Sequence, residues 1–470
     1  MHPDALHLEV PELIDENSGY PTNLAAELAA TRELPAETAL DALLALLFRL
    51  NRNALTLLER QRVLQSFSDE YRFQAALLPA EQPPSRLLVR FCNELANGYK
   101  RLELQVLQGG REPSRQHLAW CLYMAQYFLS QSMLRHYQLY QEPAPAQWRD
   151  SHSLFRIGEQ HGCLDEPISA PFQPMPAPTQ RSLYQQLLLL ALSNPFHLHN
   201  NEALLLYGAL ANYAVLPQLL PWAGDDDAPG LLVDLHSALP CQPLESLPVQ
   251  VGDARRLELG MLLLALEEPS PLQRAEERAL LEKVRVHWTG RQQRRHERTE
   301  QSSEWQMVAG LPAIHAQLLE QRPIRVAVRM IDGSPGGARL LCRPELDAQL
   351  PVGQLLLLLP GGSKPPLLAL IRWRHHDRQG LHLGLRYLKG LVRPVWLRRA
   401  PSAQTHAGVL QSTPASGGGW HHGLWLPQGH FVEGENLWLQ LPNVNNQTVV
   451  PLPSANLETA SVIRHPLRLA

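Results

Sequence analysis

Four arginines lie close together in the second half of the chain, with a spacing suited to binding an anion. Arg291, Arg294, Arg295 and Arg298 fall within the stretch GRQQRRHER and form two overlapping Arg-x-x-x-Arg pairs. On a helix both members of such a pair lie on one face. Guanidinium groups are planar and donate paired hydrogen bonds, which suits phosphate oxygens and the O6/N7 edge of guanine. The other interpretation is a solvated helix end, where arginines favour the helix dipole.

A second polar group follows in the stretch IDGSPGGARL. Asp332, Ser334 and Gly337 have the order Asp-x-Ser-x-x-Gly, with Gly336 beside them. A short carboxylate and a hydroxyl at a turn can reach donors on a ligand, and glycines let the backbone approach it closely. The stretch is therefore either a plain turn between strands or a docking point for an anionic ligand.

The first half of the chain predicts helices. Apolar residues recur at three-to-four spacing behind acidic or capping residues, which is typical of amphipathic helices. The predicted helices cover 35–51, 86–107, 114–140, 151–162, 179–193, 200–216 and 271–288. Residues 1–34 are predicted to be loosely ordered and 35–288 to form an α-helical bundle or array. Because no fixed-period repeat is evident, a bundle is favoured over a solenoid, and a fragment of residues 1–280 is expected to fold alone.

Near Gln301 the pattern changes to short apolar runs divided by glycine, proline and charged residues. Such runs are typical of an antiparallel barrel or sandwich. We predict a multidomain chain, α then β: a barrel over 289–400 that includes the arginines, then a small β module or extension over 401–470.

Taken together, the arginine pairs, the Asp-x-Ser-x-x-Gly order and the strand order resemble the PilZ family of cyclic-di-GMP receptors. The resemblance covers about residues 291–400. Residues 350–360 match the strand after the motif, and 368–387 match the closing hairpin, with Gly384 and Tyr387 as its final Gly-x-x-aromatic.

Two features depart from the PilZ pattern. Arg298 and Asp332 are 34 positions apart, which leaves room for an additional segment at 310–323. Either arginine pair, 291/295 or 294/298, satisfies the spacing. A third pair, Arg325/Arg329, is too close to Asp332 and has the pattern of a strand.

The resemblance implies a ligand and a site. Cyclic-di-GMP has two phosphates and two guanines, so arginines can bind phosphate, stack on a base or pair with its O6/N7 edge. The implied ligand-binding residues are Arg291, Arg294, Arg295, Arg298, Asp332, Ser334, Gly336 and Gly337.

The resemblance also implies a bacterial effector whose helical half contacts an unidentified protein partner, with an output in motility, pili, biofilm or virulence. The alternatives are a helical scaffold or adaptor with a degenerate, non-binding barrel and, less favoured, an RNA-binding protein.

Composition narrows the function further. A formal net charge of −3 over 470 residues gives no general case for a nucleic-acid partner. Five scattered cysteines argue against disulfides and structural zinc and favour a reducing cytoplasm. No signal peptide or apolar run of membrane-spanning length is apparent. No nucleophile–base pair, metal cluster or paired carboxylates stand out, so we expect a cytoplasmic, cofactor-free protein that is not an enzyme.

Overall fold

A computed structural model describes the chain at residues 8–14, 23–77, 83–109, 113–169, 177–199, 201–222, 224, 230–244, 253–268, 273–289, 297–321, 323–361, 365–400, 403–442, 444 and 447–467. The chain divides into two compact units. The first is Met1–Pro195 with Asn200–Gln292, and the second is Phe196–His199 with Gln293–Ala470.

The first unit is mainly helical, as the apolar periodicity predicts. Its helices are α1 (Leu24–Thr31), α2 (Ala36–Asn51), α3 (Leu57–Leu77), α4 (Arg86–Gln108), α5 (Arg115–Gln138), α6 (Pro145–Gln160), α7 (Gln180–Leu192), α8 (Glu202–Leu210), α9 (Gly260–Glu267) and α10 (Ala275–Trp288).

Helix α5 forms the centre of this unit and is buried along most of its length. Several of its polar side chains are hydrogen-bonded inside the core, which offsets the cost of burying them. The amide of Gln126 donates to Ser151 Oγ at 3.0 Å, and Arg135 donates to the Tyr71 hydroxyl at 3.2 Å. Buried hydrogen bonds therefore join the helices of this core in addition to apolar packing.

Two helices differ from the prediction. Helix α1 lies in the segment that was expected to be loosely ordered. It forms because Leu24, Leu28 and Thr31 lie on one face of the helix and are buried. Helix α3 was not among the predicted helices. Its apolar positions are outnumbered by polar ones such as Arg60 and Gln74, which are buried too, so its apolar stripe is weak in the sequence.

The predicted all-helical region also contains a small antiparallel sheet. Its strands, β1 (Gln218–Pro221), β2 (Leu231–Asp234), β3 (Gln242–Pro243) and β4 (Ala254–Glu258), have the order β1-β4-β2-β3. Each strand has five residues or fewer, too short for an alternating pattern to be evident in the sequence. The domain predicted as α-helical over 35–288 is therefore α with a small β insertion.

The second unit contains a closed six-stranded barrel, which confirms the predicted fold class. Its strands pair antiparallel in the order β10-β7-β6-β5-β8-β9, closing from β9 back to β10. They are β5 (Thr299–Ala309), β6 (Val326–Ser334), β7 (Gly337–Cys342), β8 (Leu355–Pro360), β9 (Leu367–Asp377) and β10 (Gly380–Leu388). The additional segment contains helix α11 (Leu311–Leu318), between β5 and β6.

A seven-stranded sheet follows the barrel, in the order β15-β14-β11-β12-β13-β17-β16. Its strands are β11 (Leu391–Arg398), β12 (His406–Pro414), β13 (Trp420–Pro427), β14 (Asn436–Gln440), β15 (Gln447–Pro451), β16 (Leu457–Glu458) and β17 (Val462–Leu467).

Strand β11 was predicted to belong to the barrel, within 289–400, but it pairs with β12 and β14 of this sheet. The pairing of β9 with β10 closes the barrel, which leaves no free edge for another strand. The barrel therefore ends at Leu388.

Barrel and sheet share a buried core. Leu355 and Leu370 from the barrel pack in one cluster with Val409, Trp425 and Val462 from the sheet, all with 2% of their surface exposed or less. Because interiors are close-packed, this cluster fixes the two β layers of the second unit against each other.

No helix in the described ranges is long and apolar enough to cross a bilayer.

Candidate functional site

The Asp-x-Ser-x-x-Gly stretch forms the end of the β6–β7 hairpin. Ser334 pairs with Gly337 across a two-residue turn of Pro335 and Gly336, and Asp332 pairs with Arg339. The motif is therefore a tight turn, and its aspartate lies on the strand just before it.

The Asp332 carboxylate lies between two guanidinium groups. Arg298 Nη1 donates to Oδ1 at 2.8 Å, and Arg339 Nε forms an ion pair with Oδ2 at 2.9 Å. The Asp332 side chain is 10% exposed, whereas those of Arg298 and Arg339 are 26% and 38% exposed. Asp332 thus links the hairpin to Arg298, the residue just before β5. Both arginines remain accessible to solvent.

Of the four arginines at 291–298, here called the arginine strap, the structure describes Arg298, and it brings this residue to Asp332 across 34 positions of sequence. Arg291, Arg294 and Arg295 lie outside the described residues. One of the four arginines therefore contacts the aspartate of the motif.

Ser334 organises the turn itself. Its Oγ accepts from Gly336 N at 3.4 Å and donates to Gly337 O at 3.3 Å. Strand β10 contacts the same turn, since Tyr387 N donates to Gly336 O at 2.9 Å. Three strands, β6, β7 and β10, therefore position the hairpin end.

Two glycines are needed for packing within the barrel. A Cβ on Gly337 would lie 2.0 Å from the backbone oxygen of Leu385, and one on Gly384 would lie 1.9 Å from the Trp373 indole. Both separations are far below van der Waals contact, so the glycines let β10 and the indole approach closely. At Gly337 this close approach involves the protein's own backbone.

Two further arginines of the hairpin surface lie outside the predicted set. Arg339 contacts Asp332, and the exposed Arg386 on β10 lies opposite Gly337. The acidic Glu300 lies opposite Asp332 on β5. Three arginines against two carboxylates leave a local formal charge of +1, which favours an anionic ligand. The sequence signal for Arg339 is its position two residues after the motif's last glycine.

The final Gly-x-x-aromatic of β10 has a packing role. Tyr387 is partly buried against the barrel core, and burial raises the pKa of its hydroxyl above the ordinary value. It is therefore neutral near pH 7 and can donate a hydrogen bond.

Among the described residues, no group of three or more His, Cys, Asp or Glu side chains is placed to hold a metal ion.

The hairpin surface thus offers guanidinium donors and a carboxylate acceptor beside a hydrogen-bonded turn. Compared with known protein families, residues 22–223 match the family described as the N-terminal domain of the cyclic-di-GMP receptor FimW. The match covers most of the first unit and does not extend over the barrel. Comparisons with curated proteins and with solved structures find no match. The first unit is therefore similar to the N-terminal domain of a family described as a cyclic-di-GMP receptor.

Proposed function

We propose that the chain binds cyclic-di-GMP at the end of the β6–β7 hairpin and transmits binding to a protein partner through its helical unit. The observation that carries the proposal is the Arg298–Asp332–Arg339 arrangement beside Ser334. The family match supports the ligand, and the PilZ resemblance supports the place.

The charge arrangement suggests how binding would proceed. In the free protein Arg298 donates to Asp332. A ligand phosphate would compete for the guanidinium of Arg298, and the N–H groups of a guanine would compete for the Asp332 carboxylate. Arg298 and Asp332 would each replace their mutual ion pair with a contact to the ligand. Breaking the ion pair would therefore cost little net free energy. Arg291, Arg294, Arg295 and Gly336 remain in the proposed ligand set.

Helix α9 supports a partner contact on the helical unit. Met261 and Leu264 are 55% and 59% exposed at an i, i+3 spacing, while Leu262 and Leu266 on the other side are buried. Neighbouring exposed apolar side chains on one helix face are suited to contact with another protein. Binding of an intracellular second messenger would place the protein in the cytoplasm, with a signalling output in motility, pili, biofilm or virulence.

The test is calorimetric titration of the full chain with cyclic-di-GMP. Arg298→Ala is expected to weaken binding about five- to hundred-fold through loss of a bidentate or stacked contact. Its thermal unfolding should change little, since partly exposed ion pairs contribute about 0–1 kcal/mol. Asp332→Ala should weaken binding too.

Arg393→Ala is the matched control, because Arg393 is exposed on β11 and lies on the same face of the C-terminal sheet as Val395 and Leu397, which is not the face packed on the barrel. Equal affinities of wild type and Arg298→Ala would exclude Arg298 from the site, and Arg294→Ala would then test the strap separately.

A second candidate function is a helical adaptor with a non-binding barrel. Both Asp332 oxygens already have arginine partners, and Gly337 is needed by the barrel itself, so the motif also has a structural role without ligand. Absence of any heat of binding in wild type, with an intact fold, would favour this adaptor.

We further propose that the ligand is bound without turnover. The hairpin surface presents arginines, the carboxylates of Asp332 and Glu300 and a hydroxyl, and the Asp332 carboxylate is engaged with arginine rather than placed to act on water. Cyclic-di-GMP incubated with the protein should be recovered intact by chromatography. Linear dinucleotide or GMP, formed in proportion to protein concentration, would contradict the proposal.

A further inference from the structure

A cleft of about 390 Å³ lies in the second unit, where the end of β10 meets the C-terminal sheet. Its polar lining comes from Arg386 and Lys389 at the end of β10, Gln411 on β12, Asn456 before β16, and Arg464 on β17. The volume is near the lower end of the roughly 300–1,000 Å³ typical of ligand sites. Of its three cations, Arg386 and Lys389 come from one segment, and Arg464 comes from a strand far from them in the sequence.

Arg464 is held in place by neutral groups. Its Nε donates to Gln411 Oε1 at 3.2 Å and its Nη1 donates to Asn456 Oδ1 at 3.0 Å. Its guanidinium lies 5.8 Å from the ring centre of the buried Trp425. A Cβ on Gly423 would lie 2.3 Å from Nη2, so the glycine makes room for the flat group. The guanidinium is thus oriented by neutral groups, and no ion pair to it is seen within the described part of the chain.

The other two cations also lack a carboxylate. Across the described ranges, neither Arg386 nor Lys389 is paired with an acidic side chain, and both are exposed. The acidic residue nearest the cleft in sequence, Glu458, accepts a hydrogen bond from Gln428. Burial, reinforced by the charge of Arg386, lowers the pKa of Arg464. Like charges gathered in one cleft repel each other, and an anion between them would relieve the repulsion.

The cleft adjoins the hairpin. Arg386 lies opposite Gly337, and the next residue along β10, Tyr387, donates its backbone N–H to Gly336. The apolar cluster shared by the barrel and the sheet keeps the walls of the cleft together. Arg386 and Tyr387 therefore border both the hairpin end and the cleft.

We propose that this cleft binds a phosphate group, and that Arg464 and Lys389 thereby extend the nucleotide site onto the C-terminal sheet. The assignment rests on the proposed cyclic-di-GMP function, with one phosphodiester of the ligand in the cleft. It gives the residues after the barrel a role in binding.

The experiment is calorimetric titration of full-length Arg464→Gln and Lys389→Gln with cyclic-di-GMP. Hydrogen bonds to charged groups are strong, so loss of Arg464 is expected to weaken binding about tenfold or more. Lys389→Gln, whose exposed side chain has no packing role, should weaken it several-fold. Arg393→Gln removes the same charge from the opposite face of the sheet and should bind like wild type.

Each outcome separates the two proposals. Wild-type affinity in both Arg464→Gln and Lys389→Gln would overturn the cleft while leaving the receptor function standing. Thermal unfolding shows whether Arg464→Gln is folded. If that variant does not fold, the affinity of Lys389→Gln alone tests the cleft. If the wild type does not bind cyclic-di-GMP, both proteins are titrated with inorganic pyrophosphate. Pyrophosphate binding by the wild type that is lost in Lys389→Gln would support an anion site in the cleft. No binding of pyrophosphate by the wild type would overturn the cleft proposal.

Discussion

Glu103 on α4 is fully buried, and in the described part of the chain neither of its carboxylate oxygens has a hydrogen-bond partner. Burial raises the pKa of Glu103 to about 8, with Lys100 opposing the shift and Asp150 adding to it. These neighbours form a buried pair, Lys100 Nζ to Asp150 Oδ2 at 2.5 Å. A buried carboxyl group without hydrogen-bond partners is stable mainly in its neutral, protonated form.

This predicts a pH-dependent stability. The folded-state pKa of Glu103 is higher than the ordinary value of 4.5, so the folded protein binds more protons between about 4.5 and about 8. The free energy of unfolding should fall as pH rises through that window, by up to about 1.4 kcal/mol per pH unit from this residue.

Glu103→Gln keeps the shape and removes the titration. Urea denaturation at pH 5.5, 7 and 8.5 should show the variant gaining stability relative to wild type as pH rises. A constant difference between the two proteins over this range would mean that Glu103 does not titrate in the folded state.

Near the hairpin, local spacing in the sequence predicts the turn, but the contacts that Arg339 and Arg464 make through strand pairing could not be predicted. Asp332 and Ser334 share one hairpin, so their spacing already indicates a turn. Arg339 is seen as a partner of Asp332 only through the β6–β7 register. Arg464 reaches the region of Arg386 because β17 pairs with β13 in a sheet packed on the barrel. No local pattern marks such a meeting.

At the scale of elements, the β6–β7 hairpin carries both the proposed ligand site and contacts that close the barrel. Gly337 contacts β10 so closely that any side chain would collide with the Leu385 carbonyl. The glycine of the motif therefore has a role in the barrel that is independent of ligand.

We predict that Gly337→Ala destabilises the protein by about 1–3 kcal/mol without ligand, because an overpacked site must displace backbone. Thermal unfolding of the ligand-free protein measures this. Gly417→Ala is the control, since a Cβ there meets no atom within 4 Å. If Gly337→Ala unfolds like wild type and loses only ligand affinity, the glycine serves the ligand rather than the barrel.

Helices with a continuous apolar stripe were predicted closely, because periodicity reports burial directly. Helix α4 was predicted at 86–107 and observed at Arg86–Gln108. Helix α3 was missed because Arg60, Glu70 and Gln74 occupy buried positions that usually hold apolar residues. Burial of these groups depends on partners far along the chain, such as Arg32, which donates to Glu70.

At the scale of the whole molecule, the boundary between the two units depends on helix α10. Trp288 is 3% exposed, and its indole N–H donates to Ser193 Oγ at 3.0 Å, within the first unit. Leu281 and Val284 on the same helix are buried as well. A fragment ending at residue 280, as the sequence suggested, would remove this face and expose the groups it covers. The first compact unit extends to Gln292.

We therefore predict that residues 1–292 fold alone with a helix-dominated circular dichroism spectrum, and that residues 1–280 unfold at a clearly lower temperature. Loss of three buried apolar side chains, one of them Trp288, removes several kcal/mol of burial. Within the longer fragment, Trp288→Ala should reproduce much of the loss. The longer fragment should not bind cyclic-di-GMP in calorimetry, since Arg298, Asp332 and Arg464 are all outside it. Binding by residues 1–292 would instead place the nucleotide site in the helical unit.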